Sequence, residues 1–160
     1  MNTMQKSLIV GGTVIALGIA WWLVSPLWRD IEMHEALPQV QVVAPIQDVA
    51  TTTPEVTPVV LASAALVAGE HEVAGSASFV QVGDKTFLRF EDLDTVNGPD
   101  LRIYLATDTD AKDRVDLGPI RATKGSVNYE IPAGTDVTKY SHALIWCRAF
   151  SVLFSYAKLY

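Results

Sequence analysis

Cysteine is almost missing from this chain. Cys147 is the single one in 160 residues, so neither an intramolecular disulfide nor a multi-cysteine metal site can form. Any disulfide must be intermolecular or transient. Histidine is scarce as well, with His34, His71 and His142, and the methionines Met1, Met4 and Met33 all precede residue 60. A His/Met haem site would have to borrow one of those distant sulfurs, which leaves haem a minority reading and no cofactor required. Positive charge is in deficit: the net charge of -6 excludes the clustered Lys and Arg that binding to nucleic-acid phosphates demands. Lys124-Gly125-Ser126 lacks the upstream glycine of a phosphate-binding loop, and there is no serine-nucleophile elbow or arguable carboxylate pair. Hydrolase chemistry has no support.

What is present falls into three parts. Residues 8–27, LIVGGTVIALGIAWWLVSPL, carry no charge. About twenty apolar residues at ~1.5 Å rise each span the ~30 Å hydrocarbon core, so a transmembrane helix is expected over about 8–28, within an anchor of residues 1–28. Trp21, Trp22 and Trp28 gather at its C-terminal end, where indole rings favour the headgroup layer. A cleaved signal peptide fits less well, because the run is long and its exit is bulky. Lys6 and the amino terminus before the run, against Arg29, Asp30, Glu32 and Glu35 beyond it, give the expectation that the N-terminus is cytoplasmic and the remainder outside, at the cell surface or in the periplasm. The chain is thus expected to be a single-pass membrane protein.

Residues 29–60 contain Pro38, Pro45, Pro54 and Pro58 with three consecutive threonines. Proline fixes φ and removes an amide donor, so the reading is a semi-extended linker. Residues 30–37 are read as a turn or two of further helix stopped by Pro38. Residues 61–69, small and apolar, are read as either a short helix or the first packed element of a domain covering 61–160.

From Gly75 onward the period becomes two, the mark of half-buried strands. Val127, Tyr129 and Ile131 share one face against Ser126, Asn128 and Glu130. Leu101, Ile103 and Leu105 share another, with Arg102 and Tyr104 pointing away. Two β-prone runs around Gly83-Asp84-Lys85 predict a hairpin over 79–90. Runs over 142–150 and 151–159 close the series. At least six strands with Gly/Pro turns predict an all-β antiparallel sandwich or barrel, with at most one helical turn near 137–140.

Cys147 falls in Ile145-Trp146-Cys147-Arg148-Ala149-Phe150, where alternation sets it on the face of Ile145 and Ala149 and sets Trp146, Arg148 and Phe150 opposite. Two readings stay open. A free cysteine is commonly a buried, inert core residue; a redox thiol needs a neighbouring cation, and Arg148 points to the other face of a strand. His71 and His142 read first as loop residues. The acidic stretches 91–97 and 108–113 read first as solvated turns, since neither has the spaced oxygen ligands of a calcium loop.

Four motifs taken together are more specific: Asn97-Gly98-Pro99-Asp100-Leu101, Val115-Asp116-Leu117-Gly118-Pro119-Ile120, Lys124-Gly125-Ser126-Val127-Asn128-Tyr129-Glu130-Ile131-Pro132, and Ile145-Trp146-Cys147-Arg148-Ala149-Phe150-Ser151-Val152-Leu153-Phe154. In order and spacing this series resembles the DM-thirteen domain family, the electron-transfer domain of Skeletor-type proteins, from about Gly69 to Leu159. The resemblance implies a DOMON-like β-sandwich, an accessory redox or electron-transfer role rather than a stand-alone enzyme, and a characteristic cysteine that maps onto Cys147. Ser155 departs from the pattern, where glycine is more usual. The chain carries no fused haem or flavin domain, so the expected partner is a separate redox or envelope protein. The alternative is a non-enzymatic ligand-binding or adhesion sandwich, with calcium assistance, in which Cys147 is structural.

Overall fold

The computed structural model describes residues 11–18, 21, 30–38 and 57–160. Ten strands are found among them: β1 Glu32–His34, β2 Val59–Ala65, β3 Val67–Ala68, β4 Val73–Val82, β5 Lys85–Thr95, β6 Leu101–Ala106, β7 Arg114–Pro119, β8 Lys124–Glu130, β9 His142–Cys147 and β10 Val152–Lys158. They form two five-stranded sheets, ordered β1-β8-β5-β4-β2 and β3-β10-β9-β6-β7. Pairing is antiparallel throughout except between β1 and β8. The all-β antiparallel expectation holds.

The period-two pattern explains the layering. Leu101, Ile103 and Leu105 of β6, Val127 and Tyr129 of β8, and Ala143, Ile145 and Cys147 of β9 all enter one core between the sheets. The expected hairpin is β4–β5, with Val82 opposite Lys85 across Gly83-Asp84. Gly83 has φ 63°, the left-handed backbone that a tight two-residue turn calls for. Gly75 sits where the β4–β5 register slips. Its φ is 107°, and a Cβ there would lie 2.6 Å from the Glu91 carbonyl oxygen, so glycine is required.

Tyr104 does point away from its strand neighbours, yet not into solvent. On the outer face of the second sheet it joins Ala106, Ala111 and Leu144 in a separate buried cluster, packed by Trp146, Leu153 and Tyr156. The 107–113 loop contributes Ala111, and Arg114 stacks its guanidinium 4.9 Å from the Tyr104 ring centre. Residues 61–69, where a short helix or a packed strand were both open, are strands β2 and β3.

Two expectations from the sequence need correction. Residues 30–37 do not extend a helix: Glu32–His34 is a strand lying parallel to β8. Hydrogen bonding to an open sheet edge satisfies its backbone better than a helical turn ahead of Pro38. In addition, β9 ends at Cys147 and 148–151 is a turn, so the strand alternation assigned to Arg148 and Phe150 does not apply to them. Residues 11–18 and 21, within the expected anchor, are helical; the rest of 8–28, like 39–56 of the linker, lies outside the described residues. Among the described residues no helix is long and apolar enough to cross a membrane.

Candidate functional site

Cys147 closes β9 opposite Leu101 of β6 and Val152 of β10. It is 0% exposed and part of the main core. The turn that follows is latched to the β5–β6 connection. The Arg148 amide donates to the Asp100 carbonyl oxygen at 2.9 Å, and Arg148 Nε donates to Asp100 Oδ2 at 2.7 Å. Ser151 completes the turn with φ 54°. Arg148 therefore serves Asp100, and its cation is spent on that carboxylate at the surface. The thiol thus lies in the core, one residue before the latched turn.

The histidines stand apart from it chemically. His71 is exposed, its ring centre 4.0 Å from that of Phe154. His142 opens β9, with Nδ1 3.2 Å from Ser141 Oγ. Burial, and after it the charge of Lys158, hold its imidazolium form below the ordinary pKa of 6.5, against the pull of Asp108. Among the described residues no three His, Cys, Asp or Glu side chains come together to hold a metal ion.

The acidic stretches are occupied locally. Asp108 Oδ1 accepts from the Asp110 amide. Asp113 receives the Tyr140 hydroxyl and pairs with Lys139 at 2.9 Å, which holds its carboxyl below the usual range. Glu91 pairs with Arg89 at 2.8 Å.

Arg89 is the site feature that the sequence reading missed. It is 6% exposed, and its Nη1 donates to the carbonyl oxygens of Glu35 and Ala36 and to Asn128 Oδ1, at 3.1, 3.2 and 2.8 Å. Glu35 answers from the other side: its Oε2 accepts from the Asn128 amide at 2.7 Å, and its carboxylate pairs with Arg121 at 3.0 Å. Further along, Thr123 Oγ1 accepts from the Ile31 amide at 2.8 Å, and the Ile31 carbonyl oxygen accepts from the amides of Thr123 and Lys124. Gly125, at φ 97°, leaves room for the Met33 carbonyl oxygen, which any Cβ would strike. The available signal was one cation inside the apolar run Phe87-Leu88-Arg89-Phe90; a buried charge implies a partner, although its identity could not be read.

A two-sheet sandwich with a lone core thiol beside its end turn is the class this geometry defines. The chain belongs to the electron-transfer DM13 family, whose sequence profile matches residues 65–159. Comparison with curated proteins and with solved structures gives no match. The strand β1 lies outside the matched residues, whereas the side chains that clamp it, Arg89, Arg121, Thr123 and Asn128, lie within them.

Proposed function

We propose that this chain is a membrane-tethered, extracytoplasmic electron-transfer module with Cys147 as its redox group and a separate redox or envelope protein as its partner. Membership of the electron-transfer family carries the reading, with Cys147 the one thiol available. The uncharged run of residues 8–27 supports the tether. Outside the reducing cytosol a thiol can persist oxidised.

Because Cys147 is enclosed, the step begins with local opening of the 148–151 turn, a motion far smaller than global unfolding. The Cys147 thiol loses its proton, and the thiolate attacks one sulfur of a disulfide in the partner. A bond forms between the two proteins, the partner's own S–S bond breaks, and its departing sulfur leaves as a thiolate that takes up the released proton. Breaking the Arg148 latch with Arg148→Ala should speed alkylation of the folded protein's thiol while the melting transition stays close to wild type. A Cys147→Ser protein with unchanged redox behaviour in cells would sink the proposal.

The second reading is a non-enzymatic ligand-binding or adhesion sandwich in which Cys147 is core packing. The complete burial of the thiol favours it. Under this reading alkylation follows global unfolding alone, with the same denaturant midpoint, and Arg148→Ala leaves its rate unchanged.

A further inference from the structure

The two ends of the sandwich differ. In the first sheet Lys124 pairs with Asp94 and Thr95 with Val73; in the second Leu101 and Val152 pair with Cys147. The connections 96–100 and 120–123 join the sheets at that end. The opposite end carries the Gly83-Asp84 turn and the 131–141 loop. Since β1 runs parallel to β8, Asp30 stands at the Cys147 end, its carboxylate 3.1 Å from Lys124 Nζ. Arg29 alone separates it from Trp28.

The clamp on β1 turns this topology into a fixed geometry. Residues 31–36 are held by backbone bonds to Thr123, Lys124 and Ser126 and by the Arg89, Asn128 and Arg121 side chains. They form part of the sheet and cannot serve as slack. An extended chain covers at most ~3.5 Å per residue, so Arg29 and Asp30 together reach about 7 Å. The polar layer on each side of a bilayer is about 5–7 Å thick. A sandwich hung from that point has no room to stand away from the membrane.

We infer that the domain rests on the bilayer with its Cys147 end down, splinted there by β1, and that Phe150, Val96 and Ile31 meet the headgroup layer of a zwitterionic lipid surface. The inference rests on reading residues 8–27 as a membrane anchor. Phe150, at the tip of the 148–151 turn, is 71% exposed, and Val96 and Ile31 project from the same end. Aromatic and aliphatic side chains gain by leaving water for the interface. Glu70, Glu72, Asp94 and Asp30 at this end oppose anionic lipid, which selects a neutral surface. The turn that follows the thiol therefore faces the membrane plane, and if that turn is the one that opens, as proposed above, a partner must come from within or along that plane.

The test uses the full chain in phosphatidylcholine vesicles. In a Cys147→Ala background, a nitroxide is placed at Phe150→Cys or, at the far end, at Ala133→Cys. The label at 150 should collide more with oxygen and less with an aqueous nickel chelate than the label at 133, and adding Met33→Pro to break β1 should abolish the difference. Equal water access at both positions, in protein that stays with the vesicles through an alkaline wash, overturns the orientation and leaves the anchor standing. Protein that washes out overturns the anchor reading and the orientation with it. The unmodified chain gives an independent measurement if Cys147→Ala does not fold. In nanodiscs with a gadolinium headgroup lipid, amide signals of 148–151 should broaden and those of 83–84 should not; the reverse order overturns the inference.

Discussion

Ser155 shows what a single departure from a family pattern means physically. It is buried in β10 beside a register slip against β9, and its hydroxyl finds no hydrogen-bond partner among the described residues. A dry, unpaired hydroxyl costs roughly 1–3 kcal/mol. Ser155→Ala should therefore raise stability by about 1 kcal/mol in a urea titration, with an unchanged m-value. His142 gives a pH signature. Burial and Lys158 lower its pKa in the fold from 6.5, so the unfolded chain binds its proton more readily than the native one. Its contribution to stability is complete above 6.5 and is lost as pH falls through the lowered native value. The melting temperature should decline as pH drops below 6.5, before carboxylates titrate, and His142→Gln should flatten that slope.

At the scale of elements, β1 is the decisive piece. Three residues of strand are too few to hold themselves, and the side-chain clamp supplies what the ladder lacks. Arg89→Met removes charge-assisted bonds to Glu35, Ala36, Asn128 and Glu91, each worth ~1.5–3 kcal/mol when fully formed in a dry site. Water can reach part of this cluster, so the expected loss is about 2 kcal/mol in β1 docking. Hydrogen exchange at the Glu35 amide, which donates to the Ser126 carbonyl oxygen at 2.9 Å, should accelerate while the amides of β5 and β9 remain protected.

For the whole molecule, β1 also protects an edge. Without it β8 would present a row of unpaired backbone groups, a template for pairing with a second copy. A chain beginning at Asp30 should remain monomeric by light scattering at concentrations where one beginning at Thr57 associates. Short length and the polar pair Glu32 and His34 blunt the new edge that β1 itself creates. The domain's relation to its tether changes accordingly: β1 belongs to the sandwich, and the semi-extended linker read over the whole of 29–60 does not include it.

Much of the fold was legible in the residue order, because a strand with one buried face must alternate. Val127, Tyr129 and Ile131, or Leu101, Ile103 and Leu105, could enter the core in no other way, and the Gly83 turn fixed the register of its hairpin. Four ordered motifs were enough for the family, and Cys147 for the one thiol. Pairing across long separations obeys no such local rule. That Glu32–His34 would leave the expected helix and lie against residues 124–126 depended on a cation from β5, an amide from β8 and a glycine able to yield space, three contributions that meet only after folding. The same is true of Cys147: its composition and spacing said that it was alone, while its complete enclosure was decided by how the two sheets pack around it.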